Sequence, residues 1–200
     1  EIRSRGLGDV YKRQGILTGI KNIEAPLRLS VMPYISSYID FYESKSSNNT
    51  NGGLDLKYGI DDSFTLDVTL IPDFGQTVFD NQILNVSPFE VQFDENRSFF
   101  SEGTELFNKS NLFYSRRIGD KPSSAISLSE NEILVESPSR VQMLNASKIS
   151  GRTAKGLGIG FFNAITEKTY ATVEDTISGE TSEKLIEPLS NYNVLVLDQV

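Results

Sequence analysis

The chain has 200 residues and a formal net charge of −8, and it contains no cysteine, histidine or tryptophan. The missing cysteine and histidine exclude disulfides, thiol nucleophiles, His-ligated zinc and Ser-His-Asp catalysis. The acidic balance argues against nucleic acid as a partner, because phosphate contacts need a basic surface. No run of about 20 apolar residues occurs, so the sequence predicts no membrane-spanning helix.

The first residues differ in character from the rest of the chain. Residues 4–14 (SRGLGDVYKRQ) resemble the in-frame translation of a transposon adaptor used in sequencing libraries. We therefore predict that residues 1–14 are an adaptor scar, and we leave them out of the fold prediction. Residues 15–200 are predicted to be the N-terminal portion of one domain that is truncated at its C-terminal end, because residues 193–200 stop within a strand-like run.

Residues 27–42 alternate apolar and polar side chains over a length that soluble strands rarely reach. The apolar series is Leu27, Leu29, Val31, Ile35, Ile39 and Phe41, and the polar series is Arg28, Ser30, Tyr34, Ser36, Tyr38 and Asp40. Soluble strands usually run about 5–6 residues, whereas a tilted strand that crosses a bilayer needs about 9–11. One apolar and one polar face are what a closed membrane barrel requires.

The next residues predict a loop and a hairpin. Residues 43–53 (ESKSSNNTNGG) are polar and rich in turn formers, which indicates a loop. Residues 54–60 and 63–71 alternate like strands and are joined by a tight turn at Asp61 and Asp62. Since outer-membrane barrels have short periplasmic turns and long outer loops, this turn is expected to face the periplasm.

Residues 72–111 lack sustained alternation, yet they contain seven phenylalanines, which argues against disorder. They predict an ordered segment folded over or into the mouth of the barrel. Residues 112–118 (LFYSRRI) predict a strand, but a regular strand would point the neighbouring Arg116 and Arg117 to opposite faces. This strand is therefore expected at a rim, with a bulge, or inside the lumen.

The remaining residues predict an outer loop and further strands. Residues 121–139 form the loop, residues 142–153 and 157–165 a hairpin, and residues 169–176 and 181–186 a second hairpin that extends above the membrane. Residues 192–197 are predicted to re-enter the membrane as a strand. The fold prediction is all-β: an antiparallel up-and-down membrane β-barrel, partial, with roughly seven or eight strands and a long inserted segment at the mouth or lumen.

Carboxylates crowd around Arg97 in residues 89–107 (FEVQFDENRSFFSEGTELF). Such a cluster fits a glycosidase pair, a sugar-binding surface of aromatics and carboxylates, or a charged network that only holds the segment in place. The ligand-contact candidates are Glu90, Asp94, Glu95, Arg97, Phe99, Phe100, Glu102, Glu105, Arg116 and Arg117. No calcium-loop spacing is present, and we predict no catalytic residue, no metal and no cofactor.

Six motifs resemble one known family. They are residues 53–59 (GLDLKYG), 72–76 (PDFGQ), 89–107 (FEVQFDENRSFFSEGTELF), 112–119 (LFYSRRIG), 148–153 (KISGRT) and 187–192 (EPLSNY). The family is the uncharacterised β-barrel domain that follows a family-nine carbohydrate-binding module in outer-membrane proteins of diderm bacteria. The resemblance implies an outer-membrane location, an export signal and binding module upstream, and further strands downstream, but it supplies no catalytic residues.

Together, these observations predict an outer-membrane β-barrel segment of a carbohydrate-binding surface protein that binds or transports glycan. One alternative is a protein associated with glycoside hydrolysis through the carboxylates of residues 90–105. Another is a purely structural anchor for the upstream module. The expected partners are outer-membrane lipid and a polysaccharide or oligosaccharide. Whether this segment is an enzyme stays open, and any such activity would be hydrolysis of glycosidic bonds.

Overall fold

The computed structural model describes residues 27–42, 45–72, 84, 86, 88–89, 91–109 and 113–199. The predicted adaptor scar and Glu90 lie outside these residues. Within them, the chain forms nine strands, which are β1 Leu29–Tyr42, β2 Lys45–Gly59, β3 Phe64–Leu70, β4 Glu132–Glu136, β5 Met143–Arg152, β6 Leu157–Thr166, β7 Thr169–Asp175, β8 Thr181–Glu187 and β9 Ser190–Gln199. A four-residue helix, α1 (Ser98–Ser101), precedes β4.

Six of the strands form one antiparallel sheet in the order β1-β2-β3-β5-β6-β9. Neighbours in this sheet run up and down, as predicted, although the chain leaves the sheet after β3 and again after β6. The all-β, antiparallel prediction is confirmed, whereas closure into a barrel stays a prediction. No helix among the described residues is long and apolar enough to cross a membrane.

The other three strands form a small sheet in the order β4-β7-β8. The predicted second hairpin is present as β7 and β8, and β4 pairs with β7. The prediction that residues 121–139 are only a loop was therefore wrong at β4. Glu132 of β4 and Lys184 of β8 form an ion pair across this sheet, and Glu187 accepts hydrogen bonds from Ser123 N (2.7 Å) and Ser123 Oγ (2.6 Å).

The large sheet has two faces of different character, and the alternation predicted from the sequence is confirmed. We call one the bare face. A complete cross-strand row on it is apolar, with one residue from each strand: Leu29, Tyr58, Leu66, Ile149, Phe161 and Leu195. Leu195 is 67% exposed, Leu197 on the same strand is 66% exposed, and Val31 is 50% exposed.

We call the opposite side the covered face, because residues 91–109 and 113–119, the cover segment, pack against it. Its central row is Ser30, Lys57, Asp67, Lys148, Phe162 and Val194. Lys148 and Phe162 are almost completely buried. The glycines of β6 explain the close approach, since a Cβ on Gly158 would lie 2.7 Å from Leu106 and one on Gly160 would lie 3.0 Å from Phe107.

Two further strand and loop predictions were wrong. Residues 45–53 belong to β2, which pairs with β1 as far as Tyr42 and Lys45, because backbone pairing continues through polar side chains. The strand predicted near Arg116 and Arg117 is instead a 3-10 turn, Ser115–Arg117. Because these residues are not in a strand, Arg116 and Arg117 do not have to point to opposite faces of a sheet.

Candidate functional site

The cover segment is closed on itself by a buried ion pair between Glu95 and Arg97. The Arg97 guanidinium donates to both Glu95 carboxylate oxygens, each at 2.8 Å, and to the backbone oxygens of Ser115 and Ile118, also at 2.8 Å. Ser115 Oγ donates to Glu95 Oε2 at 2.5 Å. The Arg97 guanidinium also lies 4.2 Å from the centre of the Phe100 ring. This geometry joins the two ends of the segment.

The electrostatics of Glu95 follow from this pairing. Burial raises the pKa of the Glu95 carboxyl, but the hydrogen bonds and charge of Arg97, together with the Ser115 hydroxyl, outweigh burial and hold its pKa below the usual value. The Lys57 ammonium likewise holds the pKa of Glu102 below its usual value. Both carboxyls are therefore ionised acceptors. A general acid needs the opposite shift.

A charge row on the covered face holds the cover segment to the sheet. Lys57, Asp67 and Lys148 are cross-strand neighbours on β2, β3 and β5, and Asp67 lies 3.9 Å and 3.7 Å from the two ammonium groups. Lys57 Nζ donates to Glu102 Oε2 at 2.6 Å. Lys148 Nζ donates to the backbone oxygens of Phe99, at 2.7 Å, and of Glu102. Both lysines thus contact the cover segment.

Phe162 is the apolar contact between the sheet and the cover segment. Its ring centre lies 6.4, 5.8, 6.3 and 5.1 Å from those of Phe99, Phe100, Phe107 and Phe113, respectively. Ring pairs at these separations are favourable beyond the area they bury. A cavity among these rings has a volume of only about 10 Å³, which is enough for about one water molecule and too small for a sugar.

The structure distributes the predicted ligand contacts among three environments. Glu95 and Arg97 are internal to the cover segment, and Phe99, Phe100 and Glu102 lie where the segment meets the sheet. Asp94, Glu105 and Arg117 are exposed, and Arg116 is half-buried. The carboxylates predicted to act together are thus separated, with each of Glu95 and Glu102 bound to a different cation.

Asp94, Arg116 and Arg117 form a small patch with two aromatic residues that the sequence prediction did not select. Phe93 N donates to Tyr114 Oη at 2.9 Å, which fixes the two residues side by side. The Arg116 guanidinium lies 5.8 Å from the Phe93 ring centre, and that of Arg117 lies 5.6 Å from the Tyr114 ring centre. Arg116 Nη1 also donates to Asp94 O at 3.0 Å. We call these five residues the aromatic-arginine patch.

Lys57, Asp67, Lys148 and Phe162 were also missed, because each is one member of an ordinary alternating strand. Their polar or bulky side chains on the covered face were visible in the sequence, but the cross-strand register that aligns them was not. Among the described residues, no group of three or more His, Cys, Asp or Glu is placed to hold a metal ion.

A comparison with protein families matches most of the chain. The profile of the family described as "Domain of unknown function (DUF5916)" matches residues 25–200. The chain belongs to this family. No curated protein and no solved structure matches the chain. Membership extends over the sheet, the cover segment and the small sheet alike, and it assigns no activity to them.

Replacing Arg97 with Met should strongly destabilise the protein, because the Glu95 carboxylate would stay buried without its partner. Breaking a buried pair in this way costs about 3–5 kcal/mol. The matched control is Lys57→Met, which removes the more exposed pair with Glu102 and should cost less than about 1 kcal/mol. Equilibrium unfolding in detergent would compare the two variants. Equal, small losses would contradict a closing role for Arg97.

Acid should weaken the cover segment through Glu95. Because the folded-state pKa of this carboxyl is lowered from about 4.5, its stabilisation is present above the unfolded-state pKa and is lost as the pH falls through the folded value. The free energy of unfolding should therefore fall as the pH drops below about 4.5, and Glu95→Gln should flatten this dependence. An unchanged slope in the variant would show that Glu95 does not carry the effect.

Proposed function

We propose that the six-stranded sheet is part of the wall of an outer-membrane β-barrel, with the bare face against lipid hydrocarbon and the cover segment in the barrel interior. The proposal is supported mainly by which face of the sheet the cover segment packs against. The segment rich in phenylalanine packs on the side that carries the charge row, while in the continuous apolar row Leu29, Phe161 and Leu195 are exposed and the other three residues are half-buried.

The hydrophobic effect makes this arrangement informative. A water-soluble protein would place the cover segment over the apolar face, since burial of apolar area stabilises by about 25 cal/mol per Å². Large contiguous apolar patches on a protein surface mark contact with a membrane or a partner. Hydrocarbon supplies a favourable environment for the apolar residues of the bare face.

Strand lengths and connections support the same proposal. β5, β6 and β9 each have 10 residues, and a tilted strand needs about 9–11 to cross the bilayer. The turns from β2 to β3 and from β5 to β6 are short and lie at one end of the sheet. The long connections after β3 and after β6 leave from the other end. Outer-membrane barrels have short periplasmic turns and long outer connections.

The aromatic-arginine patch favours a second function, contact with carbohydrate. Aromatic rings offer flat apolar surfaces, and guanidinium groups donate paired hydrogen bonds to hydroxyl or carboxylate oxygens. Together with the resemblance to a domain that follows a carbohydrate-binding module, the patch leads us to propose that the barrel anchors such a module and contacts glycan at its mouth. We do not propose hydrolysis, because the lowered pKa values of Glu95 and Glu102 are unsuited to a general acid.

Replacing Phe161 with Arg should impair membrane insertion. This side chain is on the bare face, where an arginine costs up to about 2–4 kcal/mol at the bilayer midplane and less towards the interface. The control is Asn163→Arg, two residues along the same strand and on the same face, where a polar residue already stands; it should cost about 0–1 kcal/mol. Folding of the full protein into vesicles would be measured. Equal insertion of both variants would contradict a hydrocarbon-facing Phe161.

Removing the patch should weaken glycan binding and leave the fold intact. In the full protein with its upstream module deleted, Tyr114→Ala combined with Arg117→Ala should reduce binding to a panel of acidic and neutral oligosaccharides by at least about tenfold, or about 1.4 kcal/mol. Glu105→Ala, exposed on the same segment, is the control. Undiminished binding, or none in the parent protein, would eliminate the carbohydrate function but not the barrel.

A further inference from the structure

The apolar area on the bare face does not end at the same row on every strand. Next to the all-apolar row, towards the end from which the long connections leave, lies a mixed row. Its members on β1, β2 and β3 are Val31, Leu56 and Val68, and its members on β5, β6 and β9 are Ser147, Asn163 and Asn193. In this row the bare face is therefore apolar on β1, β2 and β3 and polar on β5, β6 and β9.

The polar half is a compact patch of amides and one hydroxyl, which we call the amide patch. It consists of Asn145, Ser147, Asn163, Asn191 and Asn193. Asn163 Nδ2 donates to Asn191 Oδ1 at 2.6 Å and to Asn193 Oδ1 at 2.9 Å. Asn191 and Asn193 are nevertheless exposed. Ile165, between Asn145 and Asn191 in the next row, is the one apolar residue in this area.

Placing the amide patch in hydrocarbon would cost free energy. An amide moved from water into an alkane without a hydrogen-bond partner costs about 4–8 kcal/mol. The internal bonds of the amide patch satisfy part of its donors and acceptors, but the exposed amides of β9 keep hydrogen-bonding groups that need partners outside the sheet. Headgroup phosphates, sugars and their water supply such partners, whereas acyl chains do not.

The edge of the apolar area advances in steps from β9 to β1. On β9, β6 and β5 the last apolar residues before the amide patch are Leu195, Phe161 and Ile149, which share a row with Leu29 of β1. On β3 and β2 the apolar series continues four residues further, to Leu70 and Leu54, and on β1 it continues six residues further, to Ile35, before Ser37 interrupts it. The edge thus advances by six residues from β9 to β1.

This advance converts into an angle. Six residues of strand extend about 20 Å, and the five spacings between β9 and β1 span about 24 Å. An edge with these components is inclined by about 40° to the cross-strand rows, within the roughly 35–45° strand tilt of outer-membrane barrels. The edge as a whole lies parallel to the membrane plane only if the strands themselves are inclined by that amount to the membrane normal.

Resting on the membrane function proposed above, we propose that the amide patch is a lipid-headgroup contact site at the end of the barrel that bears the long connections. The strands then cross the bilayer at about 40°, so that residues of one cross-strand row lie at different depths. In particular, Val31 lies within the hydrocarbon while Asn193, in the same row, lies among the headgroups.

Tryptophan scanning tests this inference, because these 200 residues contain no tryptophan, and any tryptophan elsewhere in the full protein would first be replaced with phenylalanine. The full protein would be folded into phosphatidylcholine vesicles whose acyl chains are brominated either near the carbonyls or near the chain ends. For Val31→Trp we expect stronger quenching by the deep bromines, and for Asn193→Trp stronger quenching by the shallow ones. Asn191→Trp is a second variant at the patch, and Leu195→Trp should lie deeper than either.

The outcomes separate the inference from the proposal beneath it. Equal depth for Val31→Trp and Asn193→Trp would overturn the inclined boundary while the membrane function stands. Shielding of both patch variants from every brominated lipid, with Leu195→Trp still quenched, would show that protein rather than lipid covers the patch and would also overturn it. Quenching of none of the variants would overturn the membrane function itself.

Discussion

The packing of the cover segment against one face of the large sheet is the interaction on which the rest of the structure depends. Phe162 contacts four phenylalanines of that segment, and Lys57 and Lys148 hold its polar groups. On the opposite face, the row from Leu29 to Leu195 is exposed at Leu29, Phe161 and Leu195 and half-buried at its other three residues. The account of a lipid-facing wall follows from that asymmetry.

The cover segment combines two kinds of contact that act differently. The phenylalanine cluster gives broad, nondirectional stabilisation, whereas the Glu95–Arg97 pair and the charge row fix one position of the segment through directed hydrogen bonds. A buried ion pair adds little net stability over a hydrophobic substitute but is costly to break. The ion pairs therefore fix the position of the segment rather than add much to its stability. The cavity that remains among the rings is too small for a ligand.

Strand positions and faces could be predicted from the sequence because the two-residue period of a strand is local. The alternation near Val31, Val68 and Phe161 assigned each residue to its correct face. The wrong predictions arose where backbone hydrogen bonds override side-chain pattern: polar residues 45–53 extend β2, and Ser115–Arg117 forms a 3-10 turn. For the candidate site, residue types were informative, but the pairing of Glu95 with Arg97 and of Glu102 with Lys57 depends on contacts that spacing does not encode.

We propose that the bare face touches hydrocarbon and that the covered face does not. Phe161 and Phe162 are neighbours on β6 that point to opposite faces, with 40% and 2% exposure. The most direct measurement is the fluorescence of Phe161→Trp and Phe162→Trp in vesicles of lipids brominated along the acyl chains. We expect strong quenching at position 161 and little at position 162. Equal quenching at the two positions, or none at position 161, would contradict it.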